Sequence, residues 1–138
     1  MNIHLYTDGA YSSSRSKIGI GIVIVNADTD EIIKQYSKGY ENGTNNKAEI
    51  AAVIVGLRLI TEPCDSITIK TDSMLVIGWL SKNWKRNKNI SLLKEADKQL
   101  KRVKGICPNV IFEHVKGHNG EKYNEICDKL AVKASQLI

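Results

Sequence analysis

Apolar and polar side chains alternate from Ile3 to Thr7, the pattern of a strand with one face buried. From Ile18 to Val25 the apolar run is β-branched and almost continuous, which predicts a strand covered on both faces. Asn26 to Asp30 is a turn by composition, and Glu31 to Gly39 is the returning strand. With only the serine-rich stretch Ser12–Lys17 and that turn between them, the three strands form an antiparallel meander. Thr44 to Ile60 is helical. Thr44 suits the N-cap, Pro63 lies just beyond the end, and apolar residues cover most of the surface, so the helix packs on the sheet. Ser66 to Thr71 alternates again as a strand, Ser73–Leu80 and Ser91–Val103 are helices, and Val110–Val115 is the last strand. Glu121–Leu137 closes the chain as a helix whose apolar stripe is Tyr123, Cys127, Leu130, Ala134 and Leu137. A strand reached through a helix runs parallel to its neighbour. The expected fold class is therefore α/β: a mixed five-stranded sheet, three strands antiparallel plus two parallel, with helices on both faces. Ligands in such folds gather at the carboxyl ends of strands.

Composition narrows the setting. A chain of 138 residues that is 42% hydrophobic can bury a real core and fits one domain, 1–138. No signal peptide is visible, and the longest apolar run is far too short to cross a bilayer, so no membrane association and a cytoplasmic location are expected. In that compartment Cys64, Cys107 and Cys127, an odd number, read as free thiols. The net charge of +5 is compatible with a polyanionic partner, and the densest basic segment is Lys82 to Lys88.

The candidate chemistry lies in four acids. Asp8 follows Tyr6-Thr7 and precedes Gly9. Glu49 ends Thr44-Asn45-Asn46-Lys47-Ala48-Glu49. Asp72 lies between Thr71 and Ser73, and Asp128 lies in Glu125-Ile126-Cys127-Asp128-Lys129-Leu130. Taken singly, each has an ordinary explanation: a turn aspartate, an acid favoured by a helix start, an N-cap, and a solvated helix flank. Taken together, two strand ends and two helix faces that converge would make a hard-oxygen cage for divalent metal. In-line hydrolysis of a phosphodiester needs a deprotonated water and a stabilised leaving oxygen, and two Mg²⁺ ions roughly 3.5–4 Å apart supply both. A fifth context, Val115-Lys116-Gly117-His118-Asn119-Gly120, adds a histidine in a turn.

The order and wording of these five contexts resemble the bacterial type I ribonuclease H family from the first strand to the last helix. That resemblance implies a ribonuclease H-like fold and an endonuclease that hydrolyses the RNA strand of RNA–DNA hybrids, leaving 5′-phosphate and 3′-hydroxyl ends. It implies that Asp8 bridges two Mg²⁺ ions, with Mn²⁺ able to substitute, that Asp128 completes the nucleophile-side ion, and that Glu49 and Asp72 serve the leaving-group side. It makes His118 an aid to proton transfer or product release. For the substrate it implies contacts from Thr44, Asn45 and Asn46, and from tryptophans on a helix like the one after Asp72. Trp79 and Trp84 are the two here, each as well explained as a core residue. The implied partner is the hybrid alone, bound by a monomer with no obligate protein partner.

The chain departs from the family in three places. Ser14 stands where an asparagine normally meets the RNA strand. The stretch from Asp72 to Trp84 is about one helical turn short, which leaves Asn83 as the candidate for the DNA-phosphate pocket. The family's longer basic protrusion shrinks to Lys85-Arg86-Asn87-Lys88-Asn89, so hybrid affinity is expected either to fall or to be supplied by Arg15, Lys17 and the segment holding Lys85, Arg86 and Lys88. A non-catalytic binding member of the fold is the alternative of another class, and a related nuclease such as a junction resolvase is a third. Four acids facing a polyanion argue against the binder, and the Gly-His-x-Gly frame favours ribonuclease H.

Overall fold

The computed structural model describes residues 1–116 and 121–137. Five strands and four helices follow the predicted order: β1 (Asn2–Ser12), β2 (Lys17–Asn26), β3 (Glu31–Glu41), α1 (Asn45–Arg58), β4 (Ser66–Thr71), α2 (Met74–Ser81), α3 (Ile90–Lys104), β5 (Asn109–His114) and α4 (Lys122–Gln136). The sheet order is β3-β2-β1-β4-β5, antiparallel through β1–β3 and parallel from β1 to β4 and β4 to β5. The mixed sheet is thus as expected.

Helices cover both faces unequally. α1, α2 and α3 bury one face in a large core that includes Leu5, Ile20, Ile22, Val53, Leu57, Ile67, Ile69 and Leu93. On the other face α4 lies over β1 to β3, around Tyr6, Val23, Val25, Tyr123 and Cys127. This explains β2: every residue from Ile18 to Val25 is buried, because each face of the strand meets a helix layer.

Three expectations are corrected. Asp8 does not end its strand. β1 runs on to Ser12 in a long hairpin with β2, while its pairing with β4 stops at Tyr6, so Asp8 sits where the sheet forks rather than where a strand ends. The buried side of α4 matches the expected stripe at Tyr123, Cys127 and Ala134 but not at its two leucines. Leu130 is only half-buried and Leu137 is exposed, whereas Cys127, Ala131, Ala134 and Ser135 are buried. The cause is close packing on glycines: a Cβ built on Gly19 would lie 2.1 Å from the Ala131 carbonyl oxygen, and one on Gly39 2.6 Å from that of Ala134. Over these glycines only small helix residues fit, whereas Tyr123 is buried farther along, against Tyr6, Val23 and Val25. Finally, Cys64 and Cys107 are joined in a disulfide, with Cα atoms 4.9 Å apart, and Cys127 alone is a free, buried thiol. The two cysteines lie in the connections that lead into β4 and β5, and adjacent parallel strands bring those connections side by side although 43 residues separate them in sequence.

Candidate active site

The site grows from the fork in the sheet. Asp8 is buried on β1, opposite Gly21 of β2. A Cβ on Gly21 would lie 2.2 Å from the Cys127 carbonyl oxygen, so α4 rests directly on Gly21. The residue after Cys127 is Asp128, which is thereby carried to Asp8. On the opposite face the next residue of β1, Gly9, does the same for α1: a Cβ there would lie 2.4 Å from the Ala48 carbonyl carbon and 2.5 Å from the Glu49 nitrogen. The Gly9 N–H donates to Asp8 Oδ1 at 2.9 Å and also to Glu49 Oε1, which ties the two acids to one backbone group.

Asp72 comes from the end of β4. The N-cap role that would have occupied it belongs to its neighbour: the Ser73 hydroxyl accepts from Val76 N–H at 3.2 Å, which leaves the Asp72 carboxylate available. His114, which pairs with Thr71 at the end of β5, places its Nε2 3.2 Å from the Asp72 carbonyl oxygen. Thr71 Oγ1 accepts from Ser73 N–H, so the backbone on both sides of Asp72 is held. Asp8, Glu49 and Asp72 each offer a carboxylate oxygen within 4.8 Å of the others. Asp72 and Asp128 are the acidic neighbours whose charges act on Asp8, and Asp8 and Asp72 those that act on Glu49.

Such crowding is electrostatically adverse. Burial, followed by the charges of Asp72 and Asp128, pushes the Asp8 carboxyl up to about 8. Burial, then Asp8 and Asp72, drives Glu49 well above the usual carboxylate range. Burial likewise raises the nearby Cys127 thiol, which stays protonated. None of the five ion pairs among the described residues brings a cation to these acids. An all-oxygen anionic set without a partner cation is the donor chemistry of a hard divalent ion.

The remaining predicted residues divide by location. Thr44 caps α1, its hydroxyl accepting from Lys47 N–H at 3.2 Å. Asn45 and Asn46 lie one helical turn before Glu49, on the same side of α1. Ser14 is exposed in the β1–β2 connection, with its hydroxyl 3.4 Å from that of Ser12. Asn83, Trp84, Lys85, Arg86 and Lys88 gather beyond the far end of α2, whose eight residues span about 12 Å. Trp84 lays its indole on the bare backbone of Gly78 and keeps 42% of its surface exposed, whereas Trp79 packs against the main core. Arg86 is turned inward: its guanidinium forks onto both carboxylate oxygens of Asp97 and donates to the Trp79 carbonyl at 2.8 Å. His118 lies outside the described residues. Sequence reasoning missed Gly9, Gly21, Ser73 and His114. The alternating Gly19-Ile20-Gly21 of a strand otherwise made of large residues was the available signal for a closely packed helix.

Comparison with known proteins identifies the family. The RNase H family model matches residues 1–136. A ribonuclease H of Lachnoclostridium phytofermentans is 39% identical over 149 residues, covering 98% of this chain and 92% of the relative. Ribonuclease H1 of the halophilic archaeon Halobacterium salinarum superposes with a TM-score of 0.78 at 26% identity, covering 97% of each chain. LC11 ribonuclease H1, solved in complex with an RNA/DNA hybrid, superposes with a TM-score of 0.77 at 24% identity, covering 96% of each chain. With a family match across almost its whole length and a relative of this identity and coverage, the chain belongs to the ribonuclease H family.

Proposed function

We propose that this protein is an endonuclease that hydrolyses the RNA strand of RNA–DNA hybrids, leaving 5′-phosphate and 3′-hydroxyl ends. The observation that carries the reading is the convergence of Asp8, Glu49 and Asp72, whose carboxylate oxygens lie within 4.8 Å of one another, with Asp128 brought toward Asp8 by the packing of α4 on Gly21, in a chain of this family. The all-oxygen donor set fits divalent cations such as Mg²⁺ or Mn²⁺, which Asp8, Glu49, Asp72 and Asp128 would hold. When bound, the ions supply Lewis-acid stabilisation of the attacking and leaving oxygens.

The chain's own residues do the rest. Gly9 N–H holds the Asp8 and Glu49 carboxylates in register before substrate arrives, so little reorganisation remains there. Ser73 and His114 keep Asp72 aimed into the cluster through its backbone. Asn45 and Asn46, on the Glu49 side of α1, are placed to meet the hybrid beside the cut, where a 2′-hydroxyl distinguishes RNA from DNA. Thr44 fixes the start of that helix and can offer its exposed edge to the backbone. Trp84 is the stacking platform, with Ser14, Asn83, Lys85 and Lys88 as polar and basic contacts; Trp79 and Arg86 support that surface from beneath. His118 assists proton transfer or release. The proposed unit is one domain over residues 1–138, acting as a monomer in the cytoplasm with the hybrid as its partner; no described helix is long and apolar enough to cross a membrane.

The test is incubation of end-labelled hybrid, duplex DNA and duplex RNA with the protein and Mg²⁺. Cleavage confined to the RNA of the hybrid, absent in EDTA and in Asp72→Asn, is expected. Equal cutting of duplex DNA, or full activity in EDTA, overturns the reading.

A further inference from the structure

We infer that α3 carries a second polyanion-binding surface, a lysine track remote from the carboxylates that grips nucleic acid flanking the stretch being cut; this rests on the proposed hybrid substrate. Nine of the 20 basic residues and two of the 15 acidic ones fall between Lys82 and Lys104. That segment therefore carries +7 and the rest of the chain −2, so the protein's whole excess of positive charge belongs to α3 and the loop before it.

The arrangement is directional. Lys94, Lys98 and Lys101 recur at helical spacing and are all exposed, on the side of α3 opposite the buried Leu93, Ala96, Leu100 and Val103. Both acids of the helix are already engaged: Glu95 pairs with Arg58, and Asp97 with Arg86. No ion pair among the described residues involves any of the three lysines. Like charges at this spacing repel and disfavour the helix. Lysines near a C-terminus are excused by the macrodipole, but Lys94 lies near the start, where the helix has neither an acid in its first turn nor a side-chain cap.

The Arg86–Asp97 pair makes loop and helix one surface. Asp97 is three residues after Lys94 and four before Lys101, hence between them on the helix surface, and Arg86 pins the basic loop there. Lys85 and Lys88 thus continue into the α3 lysines beside the exposed Trp84. The track lies away from the catalytic acids. α3 rests on the C-terminal half of α1, with Arg102 donating to the Leu57 carbonyl at 2.7 Å, and Leu57 is about 12 Å along the helix from Glu49. A single-sign run of flexible ammonium groups suits a phosphate backbone read without regard to sequence, and its continuity with the loop favours the flanking duplex over an acidic protein.

The test compares a hairpin-closed hybrid of about 8 base pairs with one of about 20, whose ends reach past the loop. Binding is measured by anisotropy in EDTA at 50 and 200 mM salt, and cleavage in Mg²⁺, for the parent and for the Lys94→Ala/Lys98→Ala/Lys101→Ala variant. Each phosphate that the variant no longer neutralises makes the log–log salt slope shallower by about 0.9. The slope on the long hybrid should therefore fall by nearly three, about a 40-fold smaller change in affinity between the two salts. The variant's turnover and affinity on the short hybrid should match the parent's, and the triple Lys→Arg variant should bind the long hybrid as the parent does. An unchanged slope on the long hybrid, or an equal loss of affinity on both lengths, overturns the inference. Failure of the parent to cleave either hybrid would instead strike the proposed function.

Discussion

Replacing Asp8 by Asn should abolish hybrid cleavage and make the metal-free protein more stable. The perturbation removes one charge from a cluster in which three carboxylate oxygens lie within 4.8 Å of one another. Two unit charges at that distance repel by about 3.5 kcal/mol at an effective dielectric near 20. Proton uptake reduces this, because burial and its acidic neighbours push Asp8 from 3.8 up to about 8. The sign follows from linkage. Between those values the native state holds a proton that the unfolded chain has released, so stability is fully present below the unfolded value and is lost as pH rises toward the folded one, by about 1.4 kcal/mol per pH unit for one proton. Asn is neutral in both states and escapes this loss. Allowing for sharing among the four acids, Asp8→Asn should gain about 2–4 kcal/mol at pH 7 in EDTA and clearly less at pH 5. Urea denaturation at pH 5, 6, 7 and 8 in EDTA measures both curves. An equal or lower stability of the variant at pH 7, or a gain that does not shrink on acidification, would refute the electrostatic account of the cluster. Activity near the parent's would refute Asp8 as the bridging acid.

Other expectations follow from single contacts. Gly9→Ala puts a methyl group into the backbone of α1 and should cost about 3 kcal/mol while also parting Asp8 from Glu49, so a melting temperature and turnover both close to the parent's would disprove the close approach. Thr7 Oγ1 is buried beneath the site without a hydrogen-bond partner among the described residues, so Thr7→Val should raise the urea midpoint by the equivalent of about 1 kcal/mol, and a clear drop would mean that the hydroxyl is satisfied. Reducing the Cys64–Cys107 disulfide, which closes a 43-residue separation, should lower stability by about 4 kcal/mol with the cleavage product unchanged, and a reduced protein of undiminished stability would contradict it.

The order and type of every element were legible because each turns on local periodicity and on breakers such as Pro63. The four acids were legible as a set only through resemblance, since each alone admitted an ordinary role. The structure replaces those roles in part: Ser73 caps α2 in place of Asp72, the packing of Cys127 on Gly21 brings the half-buried Asp128 toward Asp8, and Glu49 reaches Gly9. What stayed hidden depends on contacts between distant segments. Nothing near Cys64 announces Cys107, and the inward turn of Arg86 depends on Asp97 one helix later. The α4 stripe was right at Tyr123, Cys127 and Ala134 and wrong at Leu130 and Leu137 for the same reason, because periodicity does not report how near the sheet lies, whereas the glycines of β2 and β3 decide which residues it admits.

Those glycines also explain why the site is where it is. A sheet normally keeps the helices on its two faces apart by two layers of side chains. At the fork of β1 this chain omits both layers: Gly9 faces α1 and Gly21 faces α4, each at backbone contact. Between them stands Asp8, so Glu49 from one helix layer and Asp128 from the other reach the same buried carboxylate, and Asp72 enters from the strand that ends beside it. An acid cluster assembled on one face alone would spread over a surface open to water and lose little by ionising. Assembled through a thinned sheet it is partly desolvated and preorganised, and the protein accepts lower stability in the metal-free state in return for a cage that demands cations.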